Sequence, residues 1–185
     1  RINNLRGLLR EQGINIPVGA ATAVSVAPTL IDDESVPETL RTALLEIVSE
    51  IRALEARMKT IEIELKRYAS TSRDVQAIQR VPGIGLLTAT ALVSAVGSPD
   101  NFRDGRHLAA WMGLTPRHTG SGHRMHLGGI SKRGDRYLRM LLIHGARSVL
   151  IRAQINAKAG RTLNRLQQWA MDLKQRSNHN KATCA

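Results

Sequence analysis

Leu40, Leu44, Ile47, Ile51, Leu54, Met58, Ile61, Leu65 and Tyr68 recur at alternating intervals of four and three residues, and neither Gly nor Pro interrupts them. An α-helix gathers such positions into one stripe, because about 3.6 residues make a turn. A helix of about 30 residues is about 45 Å long, which is longer than a globule of 185 residues requires. One reading is a long helix packed into the body of its own domain. The other, which we adopt as the expectation, is a coiled coil that pairs with a second chain or with an antiparallel partner of its own. Glu46, Glu50, Arg52, Glu55, Arg57 and Lys59 would flank that seam and restrict its register.

What surrounds the heptads must also be helical. Hydrophobic residues make up 42% of the chain but aromatics only 3%, so the core is aliphatic, which favours helices over a β-sandwich or barrel. Lys and Arg number 27 against 15 acids, a formal charge of +12. That balance points to a polyanion as partner and away from an enzyme of small neutral metabolites. No apolar run reaches the roughly 18 residues that span a bilayer, and the first residues are a polar helical pattern rather than a targeting peptide. The one cysteine, Cys184, excludes a disulfide framework or a cysteine zinc site within one chain, and a reducing compartment is the default. Because the sequence opens on Arg1 inside a helical pattern, we expect a fragment of a longer protein.

Charge and punctuation divide the chain. Residues 1–36 read as a helix carrying Leu5, Leu8 and Leu9, stopped by Gly13 and Pro17 and followed by a linker. The small-residue stretch Gly19 to Ala27 predicts a mobile or loosely packed connection. Residues 37–70 are the coiled coil, and residues 71–185 a compact helical domain. Acids crowd residues 32–64, nine of them, while residues 117–152 hold eight Lys or Arg and one acid.

Within the last section, Asp74 to Gln79 and Leu86 to Val96 predict two helices joined by Val81-Pro82-Gly83-Ile84-Gly85, a helix-hairpin-helix pattern. Gly83 and Gly85 would let backbone N–H groups approach a phosphate at the start of the second helix. They would serve equally as a tight turn between packed helices. Trp111, among Leu108, Ala109, Ala110 and Met112, reads as a core anchor rather than a base-stacking platform.

Residues 117–134, RHTGSGHRMHLGGISKRG, form a Gly-rich basic loop before a helix that resumes near Lys132, an arrangement suited to phosphate. Ser121, between Gly120 and Gly122, would present an unshielded hydroxyl, as a nucleophile or simply as a solvated serine. Ser131 would cap the following helix or act as the alternative nucleophile. Arg117, Arg124, Lys132, Arg133, Arg136 and Arg139 supply cations, with Arg136 and Arg139 on one helix face opposite an apolar stripe. His118, His123 and His126 lack the pattern of a metal site, so no metal is expected. Asp74, Asp100, Asp104 and Asp135 are the only carboxylates in residues 72–152. None forms a close pair, and a two-metal nuclease centre cannot be assembled from this section alone.

The runs VPGIGLLTATALVSAVG, FRDGRHLAAWMGLTPRHTGSG and GGISKRGDRYLRMLLIHGARSVL occur in that order over residues 73–152. Together they resemble the C-terminal half of the insertion-sequence transposases of the IS one-ten and IS eleven-eleven group, relatives of the Piv DNA invertase. The start NNLRGLLREQGINIP and the ending NHNKATCA are also similar to that group. The resemblance implies an N-terminal RuvC-like domain, absent from this sequence, whose four acids hold Mg2+. It also implies a coiled coil and a last domain in which Ser121 attacks DNA beside Ser131-Lys132-Arg133-Gly134. A structured RNA encoded in the element would guide the choice of DNA.

The fold expected is thus all-α: a long coiled-coil helix, then a compact helical domain with a helix-hairpin-helix and a Gly-rich basic loop. The function expected is that of a transposase or site-specific recombinase fragment. It would bind DNA and a guide RNA, form a dimer or tetramer through the coiled coil, and work in the prokaryotic cytoplasm at the nucleoid. The competing classes are a non-catalytic nucleic-acid-binding and dimerisation module, and a purely structural oligomerisation protein.

Overall fold

The computed structural model describes residues 1–31, 36–120 and 126–184. Ser121 and Arg124 lie outside the described residues, as do Asp32, Asp33 and Glu34 of the acidic stretch. The chain divides into two compact units, Arg1–Glu64 and Leu65–Ala185.

The first unit is helical. Helix α1, Ile2–Glu11, buries Leu5 and Leu9 completely. Helix α2, Ala20–Ile31, stands where the small residues predict a loose connection. The reason lies in their spacing: Ala23, Ala27 and Ile31 repeat every four residues and are buried at 4% exposure or less, and alanine is the strongest helix former. Arg6 secures the crossing between α1 and α2, donating to the carbonyls of Pro17 at 2.6 Å and Gly19 at 2.8 Å. Both helices pack against the start of α3, Glu38–Thr71, through Leu44, Val48 and Ile51. The front of the heptad stripe is therefore core of its own unit. Further along the same stripe, Leu54, Met58 and Ile61 are 43%, 68% and 56% exposed.

The second unit begins within α3 and continues through α4, Arg73–Gln79, and α5, Leu86–Val96, both within a residue of the sequence reading. Ser72 caps α4, its hydroxyl accepting from the Val75 amide. Ala69, Val75 and Ala89 form the buried seam there. A 3-10 turn at Pro99–Asn101 leads to α6, Gly105–Trp111, capped by Asp104. Met112 is buried, but Trp111 is 39% exposed, its ring edge-on to Phe102 at 5.5 Å. The core anchor is the residue after the tryptophan.

The expectation of an all-helical chain with a basic loop is corrected at one place. Strands β1, Pro116–Thr119, and β2, His126–Ile130, pair antiparallel, with His118 opposite Leu127 and Thr119 opposite His126. The rest of this unit is α7, Arg136–Lys158, α8, Arg165–Arg176, and α9, His179–Cys184. Helix α7 supplies Leu138 to the core beneath α5 and α6, and Leu150 to the one it shares with α8 and α9. Among the described residues no helix is long and apolar enough to cross a membrane.

Candidate nucleic-acid interface

The hairpin stands on a junction built by two glycines. A Cβ on Gly113 would overlap the Arg133 carbonyl, and a Cβ on Gly134 would overlap that of Trp111. The two segments pass so closely because both positions are bare and both take positive φ. Lys132, at φ 57°, adopts the same left-handed region with a full side chain, at a cost of about 1–2 kcal/mol. Its amide donates to the Gly113 carbonyl at 3.0 Å, and the Ser131 amide to the Thr115 carbonyl at 2.8 Å. These bonds hold the turn against its strain.

The left-handed turn also prevents α7 from beginning at Lys132. The helix starts at Arg136, capped by Asp135, whose carboxylate accepts the Leu138 amide at 2.9 Å. Ser131 is therefore not the cap that its position in the sequence predicts. Its hydroxyl accepts only a 3.5 Å contact from the Arg133 amide. Its carbonyl accepts Nε and Nη2 of Arg117 at 3.3 and 3.1 Å.

Pro116, Arg117, His118, Thr119, Ser131 and Arg133 together line a cleft of about 500 Å3. Two guanidinium groups, an imidazole and two hydroxyls meet there without a carboxylate, a composition suited to a phosphodiester. Arg117 keeps N–H donors free beyond those it spends on Ser131.

The sequence grouped Arg136 and Arg139 on one exposed face, and the structure separates them. Arg136 is exposed, whereas Arg139 is 9% exposed and donates through Nη1 to the carbonyls of Met112 at 2.9 Å and Arg133 at 3.1 Å. Arg139 is a strut between α6 and the junction. Gly83 and Gly85 also part company. A Cβ on Gly83 would lie 2.7 Å from the Gly145 carbonyl oxygen of α7, so its bareness serves helix crossing. Gly85 is exposed at the N-terminus of α5 with nothing within 4 Å of the Cβ position. Lys132 and Arg133 are exposed. His118 and Thr119 escaped the sequence reading as anion contacts; strand alternation, which the short strands barely express, would have grouped Thr119 with Arg117, and no local signal marks His118. Among the described residues no group of three or more His, Cys, Asp or Glu is placed to hold a metal ion.

The second unit is mainly helical and offers a carboxylate-free cationic cleft at the base of a short hairpin. Residues 75–162 match the transposase family IS116/IS110/IS902, and the chain belongs to that family. It is 40% identical over 151 residues to a protein of Pseudomonas aeruginosa named a probable family 20 transposase, covering 80% of this chain and 45% of the relative. It is 39% identical over 151 residues to the transposase for insertion sequence element IS1111A of Coxiella burnetii, covering 80% and 42%. Identity is 32% over 183 residues with the transposase for insertion sequence element IS1328 of Yersinia enterocolitica, covering 99% and 53%. The chain thus spans about half the length of the relatives it matches.

Proposed function

We propose that this chain is the part of an insertion-sequence transposase that grips DNA and supplies the serine for strand cleavage and rejoining. The observation that carries the reading is the cleft in which Ser131 meets Arg117 and Arg133, at the base of the hairpin whose connecting residues include Ser121. Ser121 is the proposed nucleophile and Ser131 the alternative. In the step proposed, the serine Oγ gives up its proton and attacks phosphorus. An O–P bond forms, the P–O bond to one deoxyribose oxygen breaks, and that oxygen leaves as a free hydroxyl. The phosphoserine ester conserves the bond energy for the reverse attack that rejoins a strand. Arg117, Arg124, Lys132 and Arg133 are proposed to steady the charge that builds on the phosphoryl oxygens, with Arg136 and the open start of α5 at Gly85 as backbone contacts.

Mg2+ would belong to acids of a RuvC-like domain, in the part of the relatives' length that this chain does not span. A structured guide RNA is the second ligand proposed, and a dimer or tetramer through α3 the assembly, acting at the bacterial nucleoid. Alone, the chain is proposed to bind DNA without cutting it. The test is capture of a covalent protein–DNA adduct on a nicked suicide substrate by the complete protein. Ser121→Ala should abolish the adduct and leave binding nearly intact. Loss in Ser131→Ala alone would move the nucleophile there, and an adduct persisting in both variants would reject the serine mechanism.

A further inference from the structure

Helix α7 carries a second cationic groove. Arg136, Arg139, Met140, Ile143, His144 and Arg147 line a depression of about 270 Å3, four of the six being basic. Their spacing keeps all of them within about 140° of one helical face. Among the described residues none of the three arginines forms an ion pair with a carboxylate. Arg147 is also conspicuous chemically, because its Nε is buried without a hydrogen-bond partner. Leaving such a donor unmade costs about 1–3 kcal/mol.

The groove is joined to the hairpin cleft by one residue pair. Arg133 lines the cleft, Arg139 lines the groove, and Arg139 donates to the Arg133 carbonyl at 3.1 Å. Arg139 is spent on that bond and on Met112, so the cations left for a ligand are Arg136 and Arg147, with the His144 imidazole beside them as a hydrogen-bonding group. From Arg136 to Arg147 the helix rises about 16 Å, and one strand of a duplex advances about 3.4 Å per phosphate. The groove is thus long enough to meet more than one phosphate of a strand.

We infer that the Arg136–His144–Arg147 groove of α7 is a second binding site for the phosphodiester backbone, continuing the path of a strand that enters the hairpin cleft. Met140 and Ile143 give the groove an apolar floor on which sugars can rest. A phosphate there offers Arg147 the acceptor that the protein lacks, after rotation of the side chain. The inference rests on the nucleic-acid reading above and adds a site to it.

The experiment measures, by fluorescence anisotropy, how affinity falls with salt for the whole chain with a labelled 20-base-pair DNA duplex and, separately, with a labelled RNA stem-loop. Each phosphate contact removed lowers the slope of log affinity against log salt by about 0.9 on B-DNA. Arg147→Gln, which removes the charge and leaves a shorter side chain with an amide donor, should lower the slope by about one, and so should Arg136→Gln at the other end of the groove. Combining Arg147→Gln with Arg117→Gln of the hairpin cleft should lower it by about two. A drop confined to the duplex, or to the RNA, names which backbone occupies the groove. An unchanged slope in both groove variants, with Arg117→Gln still lowering it, would overturn the groove, Arg136's backbone contact included, and leave the hairpin-cleft reading standing. A wild-type chain that binds neither probe would overturn both. Each variant's melting temperature is measured alongside. A slope lost only together with the fold, in Arg147→Gln and Arg136→Gln alike, also counts against the groove.

Discussion

The carbonyl of Gly113 accepts the Lys132 amide at 3.0 Å while the Cα of Gly113 sits directly against the Arg133 carbonyl. Residues separated by the whole hairpin are thereby clamped together, and the clamp sets where Ser131, Lys132 and Arg133 stand. Gly113→Ala must both strain a positive φ of 71° and displace Arg133. The expected cost is at least about 2 kcal/mol, a fall of roughly 4–8 °C in Tm, with a parallel loss of nucleic-acid affinity. Calorimetry and anisotropy on the same preparation check it.

Gly83 and Gly145 make a second close crossing, in which a Cβ on either would meet the other's carbonyl oxygen. Gly83→Ala should therefore destabilise the second unit by about 2 kcal/mol or more. Gly85, two residues further along the chain and open to solvent, should accept alanine with a Tm change near zero. Gly85→Glu should keep the fold and weaken DNA binding, because a carboxylate then occupies the start of α5. Equal melting losses in Gly83→Ala and Gly85→Ala would refute the crossing.

How much of this was legible in the sequence depends on which forces set each element. Helices α4, α5 and α6 follow from local signals, Ser72 and Asp104 as caps and glycines as stops, so their limits could be read directly. Helix α2 could not, because its small residues resemble a linker until α1 and α3 are present to bury Ala23 and Ala27. The hairpin was hidden because His126 to Ile130 contains two glycines and no strict alternation. The burial of Arg139 is a long-range result: spacing puts it beside Arg136, and only the return of Met112 and Arg133 covers it. Of the interface, the cations and serines were visible as types, and their grouping into a cleft and a groove was not.

Arg139 separates structural from binding roles. With two carbonyls depending on Nη1 and almost no exposure, Arg139→Met should lower stability by about 2 kcal/mol or more, since charged hydrogen bonds contribute about 1.5–3 kcal/mol. Arg136→Met, on the exposed side, should leave Tm within about 2 °C and weaken binding. Reversed outcomes would restore Arg139 to the binding face.

The start of α7 provides a paired test. Asp135 makes the capping bond to Leu138, so Asp135→Ala should cost about 1 kcal/mol. Ser131→Ala, which removes only the 3.5 Å contact with the Arg133 amide, should change Tm little. Urea unfolding of the two variants resolves the difference, and a larger loss in Ser131→Ala would return the capping role to the serine.

The last prediction concerns assembly through α3. Ile51 is 4% exposed within the core formed with α1 and α2, whereas Met58 and Ile61, on the same heptad stripe, are 68% and 56% exposed. The front of the stripe is thus satisfied inside the chain, and the back offers apolar knobs for a second copy. A lysine at Ile51 would break the first unit's core instead of an interface, so it cannot test association. Met58→Lys with Ile61→Lys can, because both side chains leave solvent only if another helix covers them. At tens of micromolar the wild-type chain should sediment as a dimer or larger species and the double variant as a monomer, with helical circular dichroism unchanged. Ile51→Lys should instead lower helicity and melting temperature. A monomeric wild type would remove the coiled-coil pairing and leave α3 as a long helix with one end packed in its own unit.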